Sequence, residues 1–233
     1  MSIQTREGVI SNVTDLTKTA KEVTITLSDA LVCPPGSFVN FFIEINGAPV
    51  RRAYSVVHAS VEQKTITLSI RHTLDGQVTP EFWKDDIIGR KVRVMGPMGL
   101  NTADKLSHAT VHLFAYGIGA GVIKAIAEYS LQNPTVTKMT ITTGSRNEDD
   151  IVYKTYFDEI AGNNPHVTVT YVISDPLDQN YPYKGYVQDH LEGLSFDNSD
   201  IYMCGQEKAC NALLEKIRAT NPQDTSFFVE AFH

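Results

Sequence analysis

The hydrophobic rhythm of this chain changes once, near residue 108, and that change limits its possible folds more than any other feature. Before it, apolar and polar residues alternate in short β-branched runs: GVISNVTDL, EVTITLSD, SFVNFFIEI, RRAYSVVHA, KTITLSIRH and RKVRVMG. A period of two marks half-buried strands, so six such runs separated by turn signals predict an antiparallel barrel or sandwich. One helical segment is expected near Pro80 to Lys84. After residue 108, apolar strands alternate with segments of helical spacing. VHLFAY leads through a glycine turn into GVIKAIAEYSLQN, and KMTITTG precedes a helix around Ile151 to Ile160. VTVTYVIS precedes a helix around Val187 to Leu191, DIYMCG one from Glu207 to Arg218, and SFFVEAF closes the chain. Strand and helix alternating four times predict a parallel sheet with helices on both faces. The polar stretch Gly99 to Ser107 is the expected junction between domains 1–101 and 108–233.

Composition narrows the class further. Two domains within 233 residues are each large enough to bury a core without disulfides or metals. Cys33, Cys204 and Cys210 are odd in number and lack C-x-x-C spacing, which argues against a disulfide framework and a thiolate-held iron-sulfur cluster. The start MSIQTREGVI has no basic stretch followed by an apolar run, so no secretory signal and a cytoplasmic location are expected. The most apolar region, Ala109 to Ile123, falls short of the ~20 residues of a membrane helix. It also contains His112 and three glycines, and so reads as buried core rather than a membrane span. The net charge of −7 disfavours nucleic-acid binding. It is uneven: residues 1–108 carry 12 Lys+Arg against 11 Asp+Glu, including the basic cluster Arg90, Lys91 and Arg93, whereas the remainder carries 8 against 16.

Two short motifs point to chemistry. Gly117-Ile118-Gly119-Ala120-Gly121-Val122 lies between a buried strand and a helix start. Backbone without side chains can approach a phosphate there, and the helix N-terminus offers N–H donors; a tight strand-to-helix turn accounts for the same residues. In Arg52-Ala53-Tyr54-Ser55, Arg52 and Tyr54 project from one face of a strand. They present a cation beside an aromatic plane, which suits an anionic aromatic ligand; an exposed arginine and a tyrosine filling a barrel end is the competing reading.

The order of these motifs resembles the ferredoxin-NADP reductase superfamily over nearly the whole chain. CPPGSFV (33–39) is similar to that family's proline-glycine turn before a barrel strand, and RAYS to its Arg-x-Tyr-Ser flavin motif. The resemblance implies an N-terminal antiparallel FAD-binding β-barrel followed by a Rossmann-like parallel-sheet domain that binds NADH or NADPH. By it, Arg52 holds the FAD pyrophosphate, Tyr54 stacks on the isoalloxazine and Ser55 hydrogen-bonds near N5, with Ala53 between them. Ile70, Arg71 and His72 border the adenylate half. Gly76, Gln77, Val78 and Thr79 form the loop and helix start that cap the pyrophosphate, Thr79 as hydroxyl N-cap. GPMG (96–99) resembles the structural turn that leaves the barrel.

In the second half, GIGAGV stands where the family has Gly-Thr-Gly-Ile-Ala-Pro, with Ile118 for the threonine and Val122 for the proline. Gly117, Gly119 and Ala120 then face the nucleotide. Ser145, Arg146 and Tyr153 belong to a Gly-x-Arg…Asp-x-x-Tyr segment, and Arg146 reaches the nucleotide or remains a solvated arginine. Cys204 and Gly205 match a Cys-Gly-x-x-x-Met motif in which Gln206-Glu207 replace Pro-Pro and Ala209 replaces methionine. Cys204 would shape the nicotinamide pocket. Glu230 would support Ser55 or relay a proton, and Phe232 would cover the flavin, with His233 extending the chain by one residue. Asp175, after the third strand of this half, favours NADH, whereas Arg146 leaves NADPH open. The resemblance implies a one-electron acceptor such as a ferredoxin, a flavodoxin or an oxygenase component; by charge, the near-neutral half with Arg90, Lys91 and Arg93 would receive an acidic carrier, an ordinary soluble surface being the competing reading. A flavin-binding electron-transfer subunit of a larger complex and a free-flavin reductase are the other readings.

Overall fold

The computed structural model describes residues 2–232 and divides into two compact units, Met1–Asp104 and Lys105–His233. His233, read above as an extension, lies outside the described residues.

The first unit is a closed antiparallel barrel in the order β1-β2-β5-β4-β3-β6. Its strands are β1 (Gln4–Thr17), β2 (Ala20–Leu27), β3 (Phe38–Ile45), β4 (Ala48–Ser60), β5 (Thr65–Arg71) and β6 (Lys91–Met98). Alternate residues point inward: Val23, Ile25 and Leu27 of β2 meet Val39, Phe41 and Ile43 of β3 and Ile66, Leu68 and Ile70 of β5 in one core. Closure removes the exposed edges that an open sheet would leave to pair with other chains. The β3–β4 hairpin is set by Asn46-Gly47, whose φ values of 53° and 77° are those of a type I′ turn. That turn fixes the register that puts Arg52 opposite Phe41, Tyr54 opposite Val39 and Ser55 opposite Phe38.

The helical segment expected near Pro80 is a short 3-10 turn, Thr79–Trp83. Its Glu81 is buried, yet it pairs with Lys84 at 2.7 Å and with Arg90, which also donates to the Glu44 carbonyl at 2.6 Å. Hydrogen bonds from Lys84 and then Arg90 hold the Glu81 carboxyl below its ordinary range. Arg90 is therefore spent on the barrel itself. Of the basic cluster read in the sequence, Lys91 and Arg93 stay exposed, the latter stacked 4.4 Å above the Phe42 ring.

The second unit is a parallel sheet in the order β11-β10-β7-β8-β9. It is built from β7 (Thr110–Tyr116), α1 (Ala120–Gln132), β8 (Lys138–Ser145), α2 (Lys154–Asn163), β9 (Val167–Ile173), β10 (Ser199–Gln206), α3 (Glu207–Arg218) and β11 (Thr225–Phe232). Right-handed crossovers put α1 and α2 on one face and α3 on the other. Two helices depart from the sequence reading. The segment expected from Val187 to Leu191 is a 3-10 turn, Val187–Asp189. The i, i+4 spacing of Val187 and Leu191 is real, and both pack against the α3-side core, but Gly185 and Gly193 leave too few residues between them to nucleate a helix. The helix expected from Ile151 begins at Lys154, because Tyr153 takes a left-handed conformation with φ 60°.

At the amino edge of this sheet, the carboxylate of fully buried Asp200 accepts from the backbone N–H groups of Ser107 and His108 and pairs with His108 Nδ1 at 2.8 Å. His108 Nε2 faces Asp224 at 3.5 Å. The Asp200 hydrogen bond, outweighing burial, raises the imidazole above its ordinary 6.5. A raised folded value gives stability that is fully present below the unfolded value and is lost as pH rises through the folded one. His108→Gln is therefore expected to lower the melting temperature more at pH 6 than at pH 9. Equal losses at both pH values in thermal melts would contradict this.

Candidate functional site

The barrel residues named from the sequence lie in the middle of β4, at the end of β5 and in the loop and 3-10 turn that follow β5. Arg52 donates to its neighbour's carbonyl on Arg51 at 2.7 Å and to Gln77 Oε1 at 3.3 Å, so the strand motif and the 76–79 loop are joined by a hydrogen bond. Tyr54 packs edge-on against Phe41 and Phe82, at 5.8 Å and 6.4 Å, which makes one side of its ring part of the barrel core. Burial pushes its phenol well above the ordinary value, and Arg52 partly opposes this. Ala53 is exposed and Ser55 half-buried on the same strand. His72 meets Trp83 edge-on at 4.7 Å. Ile70 and Val78 point into the core, which leaves only their backbones for a ligand.

Thr79 differs from its expected role. It is not a side-chain N-cap: its hydroxyl accepts from the Thr73 N–H at 3.0 Å and donates to the Thr73 carbonyl at 3.2 Å, closing the 73–79 loop. Gly76 is enclosed by that closure, since a Cβ there would meet Thr79 Oγ1 at 2.7 Å.

Unsatisfied polar groups decide whether this end of the barrel fits an anionic aromatic cofactor. Tyr54 Oη and Arg71 Nε are both buried without a hydrogen-bond partner. Buried polar atoms are nearly always paired, so orphans on the neighbouring strands β4 and β5, Tyr54 being also within the field of Arg52, mark places for external acceptors. A diphosphate joined to an aromatic ring system fits these groups.

In the second unit the chain leaves β7 toward β8 and β9, and β10 lies on the other side of β7. Ligands of open parallel sheets bind outside the carboxyl ends of the strands at such a reversal. The Gly117 turn after β7 and Cys204-Gly205 at the end of β10 flank it, and Ala120 begins α1. Gly119 also has a reason of its own, because a Cβ on it would lie 2.3 Å from the Cys204 carbonyl oxygen. The turn is thus tight for packing as well as placed for a ligand.

Gly144 and Gly205 make room for Tyr116, whose atoms would lie 3.1 Å and 2.5 Å from Cβ atoms there. Tyr116 Oη, Thr143 Oγ1 and Asn147 Oδ1 are buried without partners at the carboxyl ends of β7 and β8 and the loop beyond, which suits a polar ligand such as a nucleotide. All three thiols are held neutral by burial: Cys33 rises to about 12 and Cys210 to about 11, and Cys204 is pushed well above its ordinary value by burial first and then by the Glu230 charge.

The loops after β8 and β9 are tied together. Glu148 accepts from the N–H groups of Leu177 at 2.8 Å and Asp178 at 3.2 Å, and the Asp175 N–H donates to the Arg146 carbonyl at 2.7 Å. This sets Arg146 Nε 3.6 Å from Asp175 Oδ2, both side chains being exposed. Ser145 donates to the Asp150 carbonyl at 3.4 Å, and the Tyr153 ring lies 5.9 Å from Lys124 Nζ. Glu230 accepts from the Tyr202 hydroxyl at 3.2 Å, and Phe232 pairs with Gln206 at the end of β11. Sequence reading named neither Tyr202, Tyr116 nor Glu148. The two tyrosines lie in apolar strands, and no spacing pattern links any of the three to its partner.

Comparison with known proteins agrees with this geometry. Residues 7–102 match the model of an oxidoreductase FAD-binding domain and residues 113–214 that of an oxidoreductase NAD-binding domain. The chain is 25% identical over 230 residues to the toluate 1,2-dioxygenase electron transfer component of Pseudomonas putida, covering 97% of this chain and 67% of that protein. It is 26% identical over 197 residues to ferredoxin-NADP reductase B of Sorangium cellulosum, covering 81% and 80%. In fold it is similar to the CS-b5R domains of human Ncb5or, with a TM-score of 0.85 at 21% identity over 98% of this chain and 70% of that one.

Proposed function

The chain belongs to the ferredoxin-NADP reductase-like superfamily and is an NAD(P)H-dependent FAD oxidoreductase; from that premise we propose that it oxidises NADH and delivers electrons singly to a protein acceptor. The observation that carries the cofactor assignment is the pair of orphaned groups on neighbouring strands, Tyr54 Oη and Arg71 Nε, together with an Arg52 oriented by Gln77. When bound, FAD supplies the chemistry, accepting a hydride and releasing electrons one at a time.

The chain's own residues bind, orient and exclude water. Arg52 and Arg71 hold the diphosphate, Tyr54 lies against the ring, and Ser55 hydrogen-bonds near its N5. Cys204, a neutral thiol, shapes the nicotinamide pocket, and Glu230 holds a proton-accepting carboxylate at that edge of the sheet. Arg52→Ala is expected to weaken FAD binding by about thirtyfold, roughly 2 kcal/mol for a charged hydrogen bond. Fluorescence titration of flavin-free protein measures it, and an unchanged Kd would remove Arg52 from the site.

The nucleotide preference follows from Asp175. Its carboxylate pairs with Arg146 and repels a 2′-phosphate. NADH is therefore expected to give the higher kcat/KM; a higher value for NADPH would reverse the assignment.

The acceptor reading draws support from relatives named as electron transfer or reductase components of oxygenases. Exposed Lys91 and Arg93 suit an acidic carrier such as a ferredoxin, a flavodoxin or an oxygenase component. Among the described residues, no helix is long and apolar enough to cross a membrane. The test is purification followed by turnover with NADH and ferricyanide. Yellow, active protein supports the reading, yellow but inactive protein points to a subunit of a larger complex, and colourless protein points to a free-flavin reductase.

A further inference from the structure

We propose that Tyr202 is a positioning residue for this reaction: its hydroxyl donates to Glu230 Oε2 at 3.2 Å and fixes that carboxylate beside Cys204 at the carboxyl edge of the sheet. The proposal rests on the role of Glu230 given above. Tyr202 is wholly buried, and its ring stacks on Phe228 with centroids 5.9 Å apart and planes 14° from parallel. A residue needed only to fill that space has no use for a hydroxyl, and a buried phenol demands a partner. Here the partner is a carboxylate on the neighbouring strand.

The parallel register aligns Tyr202 with Phe228 and Cys204 with Glu230. Alternation then sets all four side chains on one side of the sheet. β11 is an edge strand and Glu230 is near its end, where a glutamate has several staggered rotamers open to it. The phenol, buried in the middle of β10 and stacked on Phe228 of β11, favours the rotamer that its hydrogen bond reaches. Titratable groups that interact with Glu230 include Tyr202 and Cys204 on β10, and Cys210 of α3 acts on Cys204 in turn. Arg218 of α3 lies over Phe227 at 5.3 Å, on the opposite side of the sheet. A hydrogen bond to the charged form of a carboxylate favours that form, and its loss makes protonation easier.

The test uses the full chain and three variants: Tyr202→Phe, Glu230→Gln and the double variant. Carboxyl carbon NMR, with the Glu230 signal assigned by its loss in E230Q, reads the carboxylate with or without flavin. In Y202F its titration midpoint is expected to rise by about one pH unit, the size of one hydrogen bond to a charged group. The acid limb of the flavin-reduction profile should move with it, with kcat lowered and KM for NADH nearly unchanged. Y202F should add little to E230Q, since Tyr202 acts through Glu230. Melting temperature and flavin content check that the variants fold. An unmoved midpoint in Y202F, or equal losses from Y202F with and without E230Q, overturns the proposal. E230Q reducing flavin at the wild-type rate overturns the role of Glu230 instead, and the NMR shift tells the two failures apart.

Discussion

Gly119→Ala is expected to destabilise the second unit by about 3 kcal/mol, the upper end of overpacking costs, and to lower its melting temperature by roughly 10 °C. The added methyl group would lie 2.3 Å from the carbonyl oxygen and 2.6 Å from the carbonyl carbon of Cys204. Both atoms are backbone of β10, which hydrogen-bonds to β7 on one side and β11 on the other and so cannot move alone. The strain must open the turn between β7 and α1, and NADH binding is expected to fall with stability. Gly162→Ala is the control: Gly162 lies within α2 with nothing within 4 Å of its would-be Cβ, so alanine there should be neutral or slightly stabilising. If the two variants melt alike in calorimetry, the close approach of Gly119 to β10 is not what the turn requires.

Ser55→Ala should leave FAD bound but slow its reduction by NADH a hundredfold or more, about 2 to 4 kcal/mol for one well-placed hydrogen bond in a transition state. Removing a hydroxyl from half-buried Ser55 leaves Tyr54, Arg52 and Arg71 in place, so affinity and rate should separate. Arg52→Ala is expected to show the reverse pattern, with flavin lost more readily and the remaining bound fraction still reducible. Stopped-flow reduction of S55A at the wild-type rate would remove Ser55 from the reacting centre.

Much of the site was legible because its residues cluster in short segments. RAYS occupies one strand, and GQVT one loop. The strand-facing rule places Arg52 and Tyr54 together, and the Asn46-Gly47 turn that sets their register is itself a sequence signal. Thr79 misled because a hydroxyl before Pro80 looks like a helix cap, whereas its actual partner is Thr73 across a loop. Arg90 misled because charge was counted without its partner, and buried Glu81 takes it. Val187 and Leu191 misled because helical spacing says nothing of length, and flanking glycines kept the segment irregular.

Periodicity and turn chemistry are properties of neighbours along the chain, and they determined the two-part architecture and all eleven strands, while the cofactor motifs came from the order of short segments that resembles a known family. What folding decided is which distant backbones and side chains meet. Gly119 must be glycine because of a carbonyl 85 positions later, Glu230 is oriented by a tyrosine on the adjoining strand, and Arg146 is held by Asp175. Such pairs are fixed by strand register and crossover, which bring together residues that share no local pattern, so the tertiary structure alone reveals them.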